Sequence, residues 1–160
     1  MNPSEVLNKE LELLQADLIT AYNAKGMKAS GEWERSLETQ VYTSNDVLVG
    51  VVKGLNYSQQ LETGRRSGKH PPREAIENWI KEKGLASKIE GEISVSSLAF
   101  LIARKISREG WNRERYGGVN LISEVVTPER VQKIVNLVGD VYVVSVTTDI
   151  VKSFREINLN

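Results

Sequence analysis

A stretch rich in glycine, proline and basic residues most constrains what this chain can fold into. It reads Gly64-Arg65-Arg66-Ser67-Gly68-Lys69-His70-Pro71-Pro72 and lies between two amphipathic segments. The two prolines fix their own φ angles, and Pro72 suits the first turn of a following helix, where its missing N–H costs no hydrogen bond. A residue that precedes a proline favours extended backbone. The stretch therefore predicts a stiff, positively charged loop that projects from a folded domain.

The composition is that of a globular protein with an ordinary apolar core. The chain has 160 residues, of which 40% are apolar and 26% charged. We expect one domain over residues 1–160, with extended loops at 64–72 and 110–127. The 21 basic and 21 acidic residues cancel, so attraction to nucleic acid must come from a local patch. The chain has no cysteine, which excludes disulfides and thiolate chemistry.

The sequence shows no segment typical of export or membrane insertion. No uninterrupted apolar run approaches the roughly 18 residues that read as a membrane span. The N-terminus lacks a basic flank followed by an apolar core, so it does not read as a signal peptide. We therefore expect no membrane contact and assembly in the cytoplasm.

An amphipathic helix is predicted at the N-terminus. Asn2 and Glu5 have the spacing of a capping box, and Gly26 is a natural stop. Apolar residues recur at steps of three and four and predict the buried face: Leu7, Leu11, Leu14, Leu18 and Tyr22.

A β-hairpin is predicted next, with strands at 35–43 and 46–55 around a turn at Ser44-Asn45. The second strand is apolar on both faces, so we expect it to be central in a sheet or covered by a partner. Trp33, just before the hairpin, is predicted to anchor the core.

Two further helices follow the basic loop. The first spans 73–83, and its inward residues are predicted to be Ala75, Ile76, Trp79 and Ile80. The second spans 95–109 between a Ser94 cap and Gly110, and its buried residues are predicted to be Leu98, Leu101, Ile102 and Ile106. Residues 111–127 read as irregular, with Gly117-Gly118 as a hinge or turn.

The C-terminal segment allows two interpretations. Thr127-Pro128-Glu129 is typical of a helix start, and helical apolar spacing continues from Val131 to Ile157. One long helix from 128 to about 156 is favoured over a shorter helix followed by a strand at 141–148, where β-branched residues are frequent. Both interpretations give an α+β fold, in which an N-terminal helix and a small antiparallel sheet pack with several helices.

No residue pattern predicts catalysis, a cofactor or a metal. The Gly64–Lys69 segment departs from a nucleotide-binding P-loop, because three residues separate its glycines and His70 replaces the hydroxyl residue after the lysine. His70 is the only histidine, and no nucleophile turn or ligand spacing accompanies it. We expect no enzyme, and the simplest reading of His70 is an exposed loop residue.

Basic residues form the strongest candidate for a partner contact. If the loop and the helix at 95–109 adjoin, they form what we call the basic ridge: Arg65, Arg66, Lys69, His70, Arg73, Arg104, Lys105, Arg108, Arg113 and Arg115. The residues expected to shape its loops are Gly64, Gly68, Pro71, Pro72, Gly117 and Gly118. The ridge fits ordinary solvated charge, contact with an acidic protein surface, or contact with nucleic-acid phosphates.

A series of short motifs resembles a known family. Tyr57 is followed by Leu61-Glu62-Thr63-Gly64-Arg65, then Gly68-Lys69-His70-Pro71-Pro72, Ile76 with Trp79-Ile80, and Lys83-Gly84-Leu85. The run Leu98–Ile106, Gly117-Gly118 and Asn120-Leu121-Ile122 follow in the same order. From Tyr57 to Thr127 the chain thus resembles the small tail-component proteins of tailed bacteriophages, which are head–tail joining and tail-completion proteins.

The resemblance implies a structural virion protein at the head–tail junction. It implies a homo-oligomeric ring, six- or twelve-fold, that touches the portal or adaptor on one side and tail proteins on the other. DNA could contact such a ring in passing. The alternative function belongs to a different class of protein: a nucleic-acid-binding packaging accessory protein that uses the basic ridge.

Overall fold

The computed structural model describes residues 2–89, 91, 93–111 and 118–157. The fold is α+β, with an antiparallel pair of strands and a long C-terminal helix, as the sequence predicts. In chain order the elements are α1 (Pro3–Ala24), α2 (Glu32–Arg35), β1 (Glu38–Ser44), β2 (Val47–Lys53), α3 (Ser58–Thr63), α4 (Arg73–Glu82), a 3-10 helix (Ala86–Lys88), α5 (Val95–Glu109), α6 (Leu121–Val125) and α7 (Pro128–Ile157).

The chain divides into two compact units. Unit 1 contains Met1–Asp17, Glu38–Lys53 and Val126–Asn160, and unit 2 contains Leu18–Leu37 and Gly54–Val125. Unit 1 therefore holds the hairpin and α7, while unit 2 holds the helices that carry the basic ridge.

Helix α1 confirms its predicted start and buried face. The Glu5 N–H donates to Asn2 Oδ1 at 2.9 Å, and the Asn2 N–H donates to Glu5 Oε2 at 2.8 Å, which is the reciprocal capping box. The predicted stripe lies inward, with four members less than a tenth exposed: Leu11, Leu14, Leu18 and Tyr22. Leu13, off this stripe, is 48% exposed.

The hairpin of unit 1 forms with a register from Glu38↔Lys53 to Ser44↔Val47. Its turn is Asn45-Asp46, one residue later than predicted, and both residues have positive φ (48° and 62°). A two-residue turn with two positive φ values matches the twist of the strands, and asparagine and aspartate tolerate that conformation. Within the described residues the sheet has two strands, so the alternative of a central second strand is wrong, and its cover by a partner stays a prediction.

A close contact packs α1 on the hairpin. A Cβ at Gly50 would lie 2.8 Å from Leu11 Cδ1 and 3.1 Å from Leu7 Cδ2. The missing side chain at Gly50 therefore gives the leucines of α1 room against β2.

The C-terminal segment is one helix, so the alternative of a strand at 141–148 is wrong. Arg130 N–H donates to the Thr127 hydroxyl at 3.2 Å, which caps the first turn. The Arg130 guanidinium also reaches Asp17 at 2.5 Å, which ties the start of α7 to α1. β-Branched residues favour strands only where a neighbouring strand supplies packing and hydrogen bonds, whereas a helix satisfies its own backbone.

Trp33 anchors the core of unit 2, as predicted. It is 1% exposed, and its indole N–H donates to Ser58 Oγ at 2.9 Å. The centroid of its aromatic ring lies 4.5 Å from that of Tyr22. These contacts join the end of α1, α2 and the start of α3.

Helices α4 and α5 pack through a second apolar cluster, whose buried members are Ile76, Ile80, Ala99 and Ala103. Ala75 and Leu101, both predicted to be buried, are exposed. The reason is that α5 turns its two alanines toward α4, since small side chains let two helix backbones approach closely. Leu98, Ile102 and Ile106 flank this contact as half-buried side chains, and Leu101 is left on the far side.

Short helices account for further departures from the predicted elements. Helices α2 and α3 were not predicted, and α6 lies inside the segment 111–127 that was predicted to be irregular. Pro72 is the residue that precedes α4 and not its first helical residue, with φ −57° and ψ 125°. The predicted ridge residues Arg113 and Arg115 and the predicted hinge residue Gly117 lie outside the described residues.

Candidate interaction surfaces

The basic loop is joined to the end of α5 by a two-residue backbone bridge. The Arg65 N–H donates to the Trp111 carbonyl at 2.7 Å, and the Trp111 N–H donates to the Arg65 carbonyl at 2.6 Å. This antiparallel pair lies where the chain leaves α3 on one side and α5 on the other. The loop is therefore anchored at its base.

Two glycines make this bridge possible. A Cβ at Gly64 would lie 2.2 Å from the Trp111 carbonyl oxygen, and a Cβ at Gly110 would lie 2.4 Å from the Arg65 carbonyl oxygen. Both contacts are to backbone atoms, which cannot rotate away as a side chain does. Both residues also have positive φ, 74° and 75°, a conformation that glycine adopts without strain. The sequence predicted Gly64 as a loop-shaping residue and Gly110 only as a helix stop.

Further contacts hold the middle of the loop against α5. The Gly68 N–H donates to the Ser107 carbonyl at 2.8 Å, and the Ser107 hydroxyl lies 3.2 Å from His70 Nε2. The Arg65 guanidinium donates to the Lys69 carbonyl at 2.8 Å, closing the loop on itself. The loop is held in place, as a stiff loop should be, but it lies against α5 and does not project from the domain as predicted. Its side chains from Arg66 to His70 are nonetheless exposed.

The described part of the basic ridge is thus continuous, since the loop and the C-terminal half of α5 adjoin. Arg73 pairs with Glu77 at 3.4 Å, and Lys105 lies 3.8 Å from Glu109. Of the other arginines and lysines in the described part of the ridge, four are exposed and have no carboxylate within 4.0 Å: Arg66, Lys69, Arg104 and Arg108. The ridge therefore presents positive charge that neighbouring acids leave unbalanced.

Apolar side chains extend the ridge toward the start of α5. Phe100 is 46% exposed and Leu101 is 45% exposed. At about 100° per residue, both lie on the same side of the helix as Arg104 and Arg108. The prediction missed this extension because it placed Leu101 inside. Successive residues on a helix point about 100° apart, so Phe100 and Leu101 cannot both lie on one narrow buried stripe. The sequence alone therefore indicates that at least one of these two side chains is exposed.

Three side chains near the end of α1, in α2 and at the end of α4 have shifted pKa values because of their packing and hydrogen bonds. Burial raises the pKa of Tyr22 to about 12, with smaller contributions from Tyr57 and Glu34. Hydrogen bonds from Lys28 and Asn23 lower the pKa of Glu34. Burial lowers the pKa of Lys83, whose ammonium donates to the carbonyls of Gly26 and Lys28. These groups tie the end of α1 to α2 and α4, which is a structural role.

The described residues hold no cluster of three or more histidine, cysteine, aspartate or glutamate side chains that could bind a metal. An open groove of about 650 Å³ lies between Ala86 and Val95. Its described lining consists of apolar and serine side chains, none of them ionisable. Neither feature indicates a catalytic centre in the part of the chain that the structure describes.

Helix α7 is the second candidate surface, because little of it is covered. Ile134 is buried, whereas every residue from Tyr142 to Arg155 is exposed. By length and composition, Pro128–Arg155 is long and apolar enough to cross a membrane, with a mean hydropathy of 1.5 over its most apolar 18 residues. The lack of a long uninterrupted apolar run in the sequence therefore does not exclude a membrane-spanning helix. The absence of membrane contact stays a prediction.

The charges of α7 count against a membrane span. Asp140 and Asp149 both lie within the candidate segment. An aspartate at the centre of a spanning helix costs about 2.5–3.5 kcal/mol. These two aspartates therefore add a free-energy cost to placing α7 across a bilayer.

Comparisons with known proteins found no family model, no curated protein and no solved structure that matches this chain.

Proposed function

We propose that this protein is a structural virion component that forms part of a ring at the head–tail junction of a tailed phage. The motifs between Tyr57 and Thr127 support this proposal through their resemblance to tail-completion proteins. In this chain the motif residues build the anchored basic ridge, a fixed surface suited to an acidic patch on a neighbouring virion protein.

The observation that carries the proposal is the amount of apolar surface that one copy leaves exposed in unit 1. It includes residues of α1, the hairpin and α7: Leu13, Tyr42, Val47, Val143, Val144, Val146, Ile150 and Phe154. Large exposed apolar patches on a folded chain mark interfaces. A closed ring covers such patches through head-to-tail contacts, in which two different surfaces of one subunit meet.

Assembly with neighbouring virion proteins tests the proposal. We expect native mass spectrometry and particle reconstruction to show a closed ring when the protein is mixed with the portal and tail proteins encoded in the same genome. Reversing the free charges of the ridge (Arg66→Glu, Lys69→Glu, Arg104→Glu, Arg108→Glu) is expected to prevent this assembly. The fold should persist, because exposed substitutions usually change stability by less than about 0.5 kcal/mol each.

The control is compared with the pair Arg66→Glu and Lys69→Glu alone, and it reverses two exposed lysines outside the ridge, Lys81→Glu and Lys88→Glu. This variant should assemble like the natural chain. Isolated copies on the capsid surface, or absence of the chain from particles, would contradict the proposed ring.

A nucleic-acid-binding packaging function is the second candidate. Four cations without nearby carboxylates favour it, and Phe100 is an exposed aromatic on the same face. Binding through phosphates predicts an affinity for double-stranded DNA that falls steeply and log-linearly with salt concentration. A fluorescence anisotropy titration at several salt concentrations tests this binding, and its absence would contradict the packaging function.

A further inference from the structure

Helix α7 presents two different apolar faces along its length. Near its start, Val131, Ile134 and Val138 share one face, and Ile134 is buried in unit 1. Further along, Val146, Ile150 and Phe154 share another face, and all three are at least half exposed. At about 100° per residue, the centres of the two faces differ by about a third of a turn. The second face therefore cannot continue the packing of the first.

The exposed face is broad. Seven apolar residues line it: Tyr142, Val143, Val144, Val146, Ile150, Val151 and Phe154. With about 100° between successive residues, they cover roughly 200° of the helix circumference. A two-stranded coiled coil needs only a narrow apolar seam, whereas a face this wide suits a helix with a neighbour on each side.

The two edges of this face carry opposite charges. Asp149 lies just beyond Tyr142 at one edge, and Arg155 lies just beyond Val144 at the other. In a closed bundle of parallel helices, one edge of each helix meets the opposite edge of the next. Asp149 of one copy then lies near Arg155 of the adjacent copy, at a separation of about 9 Å along the helix axis, which a long arginine side chain can largely bridge.

We propose that residues 142–155 of α7 form a parallel helical bundle with the same segment of other copies of this chain. The bundle covers the broad apolar face, and Asp149–Arg155 pairs between adjacent copies fix its direction. This inference rests on the proposed function for the context of a ring, and it adds the surface through which the copies meet.

The absence of cysteine from the chain allows a clean cross-linking test. In Ile150→Cys, the thiol lies at the centre of the face, so copies in a parallel bundle bring equivalent thiols together. We expect oxidation to give disulfide-linked dimers of the full-length protein, free at high concentration or in complex with portal and tail proteins. Thr148→Cys places the thiol on the polar side and should cross-link at least tenfold less.

Charge exchange tests the direction of packing. Asp149→Arg and Arg155→Asp should each weaken self-association, by roughly two- to fivefold for each helix contact. The double variant Asp149→Arg/Arg155→Asp restores opposite charges at the two edges and should recover most of the association measured by analytical ultracentrifugation. Failure of the double variant to recover would contradict the proposed pairing.

Other occupants of the face give different results. Co-sedimentation with phosphatidylcholine–phosphatidylglycerol vesicles, without cross-links at position 150, would overturn the bundle in favour of a membrane. Equal cross-linking at 148 and 150 would also overturn it. A ring that assembles with portal and tail proteins without cross-links at 150 overturns the bundle and leaves the proposed function intact, whereas cross-links without any assembly overturn the proposed function alone.

Discussion

The Glu62 carboxylate accepts a hydrogen bond from the Ile122 N–H at 2.6 Å, across a sequence separation of 60 residues. The Ser123 N–H lies 3.3 Å from the same carboxylate, and the Ser123 hydroxyl donates to it as well. The Asn120 N–H donates to the Glu62 carbonyl at 3.1 Å. Glu62 at the end of α3 thus supplies partners for the otherwise unpaired N–H groups at the start of α6.

Glu62→Ala should therefore destabilise the protein. The substitution leaves the first N–H groups of α6 without their acceptor, and hydrogen bonds to a charged group contribute about 1.5–3 kcal/mol. We expect a loss in that range in urea unfolding. Glu109→Ala is the matched control, since its carboxylate is two-thirds exposed and lies 3.8 Å from Lys105. It should change stability by about 0.5 kcal/mol or less, and an equal effect at both positions would contradict the capping role.

Gly64→Ala tests the bridge between the basic loop and α5. The new methyl group would clash with the Trp111 carbonyl oxygen, so the bridge must open or the backbone must shift. Gly84 is a good control because its φ is 65° and a Cβ there would meet nothing within 4 Å. Gly84→Ala should cost only the roughly 1–2 kcal/mol of a left-handed conformation.

We expect Gly64→Ala to cost more than Gly84→Ala in denaturant unfolding. It should also speed amide hydrogen exchange at Arg65 and Trp111, whose N–H groups form the bridge. Slow exchange at both amides in the variant would show that the loop does not depend on Gly64.

Local patterns in the sequence predict much of this fold. The stripe and capping box of α1, the hairpin and the extent of α7 all follow from residues a few positions apart, and the structure confirms them. The buried face of α5 does not follow, because hydrophobicity ranks Leu101 above Ala103 while close helix packing selects the alanine. Ranking residues by hydrophobicity therefore cannot predict a helix contact that requires a small side chain.

The sequence predicts the position of the basic loop but not the contacts that hold it, and the role of its residues in partner contact stays a prediction. Charge and proline content locate the loop, but the contacts of Arg65 with Trp111 and of Glu62 with Ile122 join distant parts of the chain. Such pairs leave no periodic signal in a single sequence. The same holds for α6, which is only five residues long and depends on the Glu62 carboxylate for its first turn.

High pH should unfold the protein in a way that depends on Tyr22. Burial raises the pKa of Tyr22 to about 12, whereas the phenol of an unfolded chain ionises near 10. The neutral Tyr22 phenol therefore makes its full contribution to the free energy of unfolding below pH 10. That contribution is lost as the pH rises from 10 to about 12.

Phenylalanine has no phenol to ionise, so Tyr22→Phe should remove the part of the pH dependence that Tyr22 causes. The free energy of unfolding of this variant should fall less steeply between pH 10 and about 12 than that of the natural chain. Urea unfolding at several pH values measures the slope. Tyr42→Phe, which removes a phenol that is 45% exposed, should keep the slope of the natural chain. Identical slopes for Tyr22→Phe and the natural chain would contradict the role of the buried phenol.

Trp79 should stabilise the contact between α4 and α5, but less than a fully buried tryptophan would. Its side chain is half-buried and packs against the cluster of Ile76, Ile80, Ala99 and Ala103. Burial of a large apolar side chain contributes about 1.5–3 kcal/mol, so Trp79→Ala should lower the free energy of unfolding by that amount. Ile80, with 0% exposure, is the control, and Ile80→Ala should cost about 2–5 kcal/mol. If Trp79→Ala leaves the denaturant midpoint unchanged while Ile80→Ala lowers it, the Trp79 side chain serves a partner contact and not the core of unit 2.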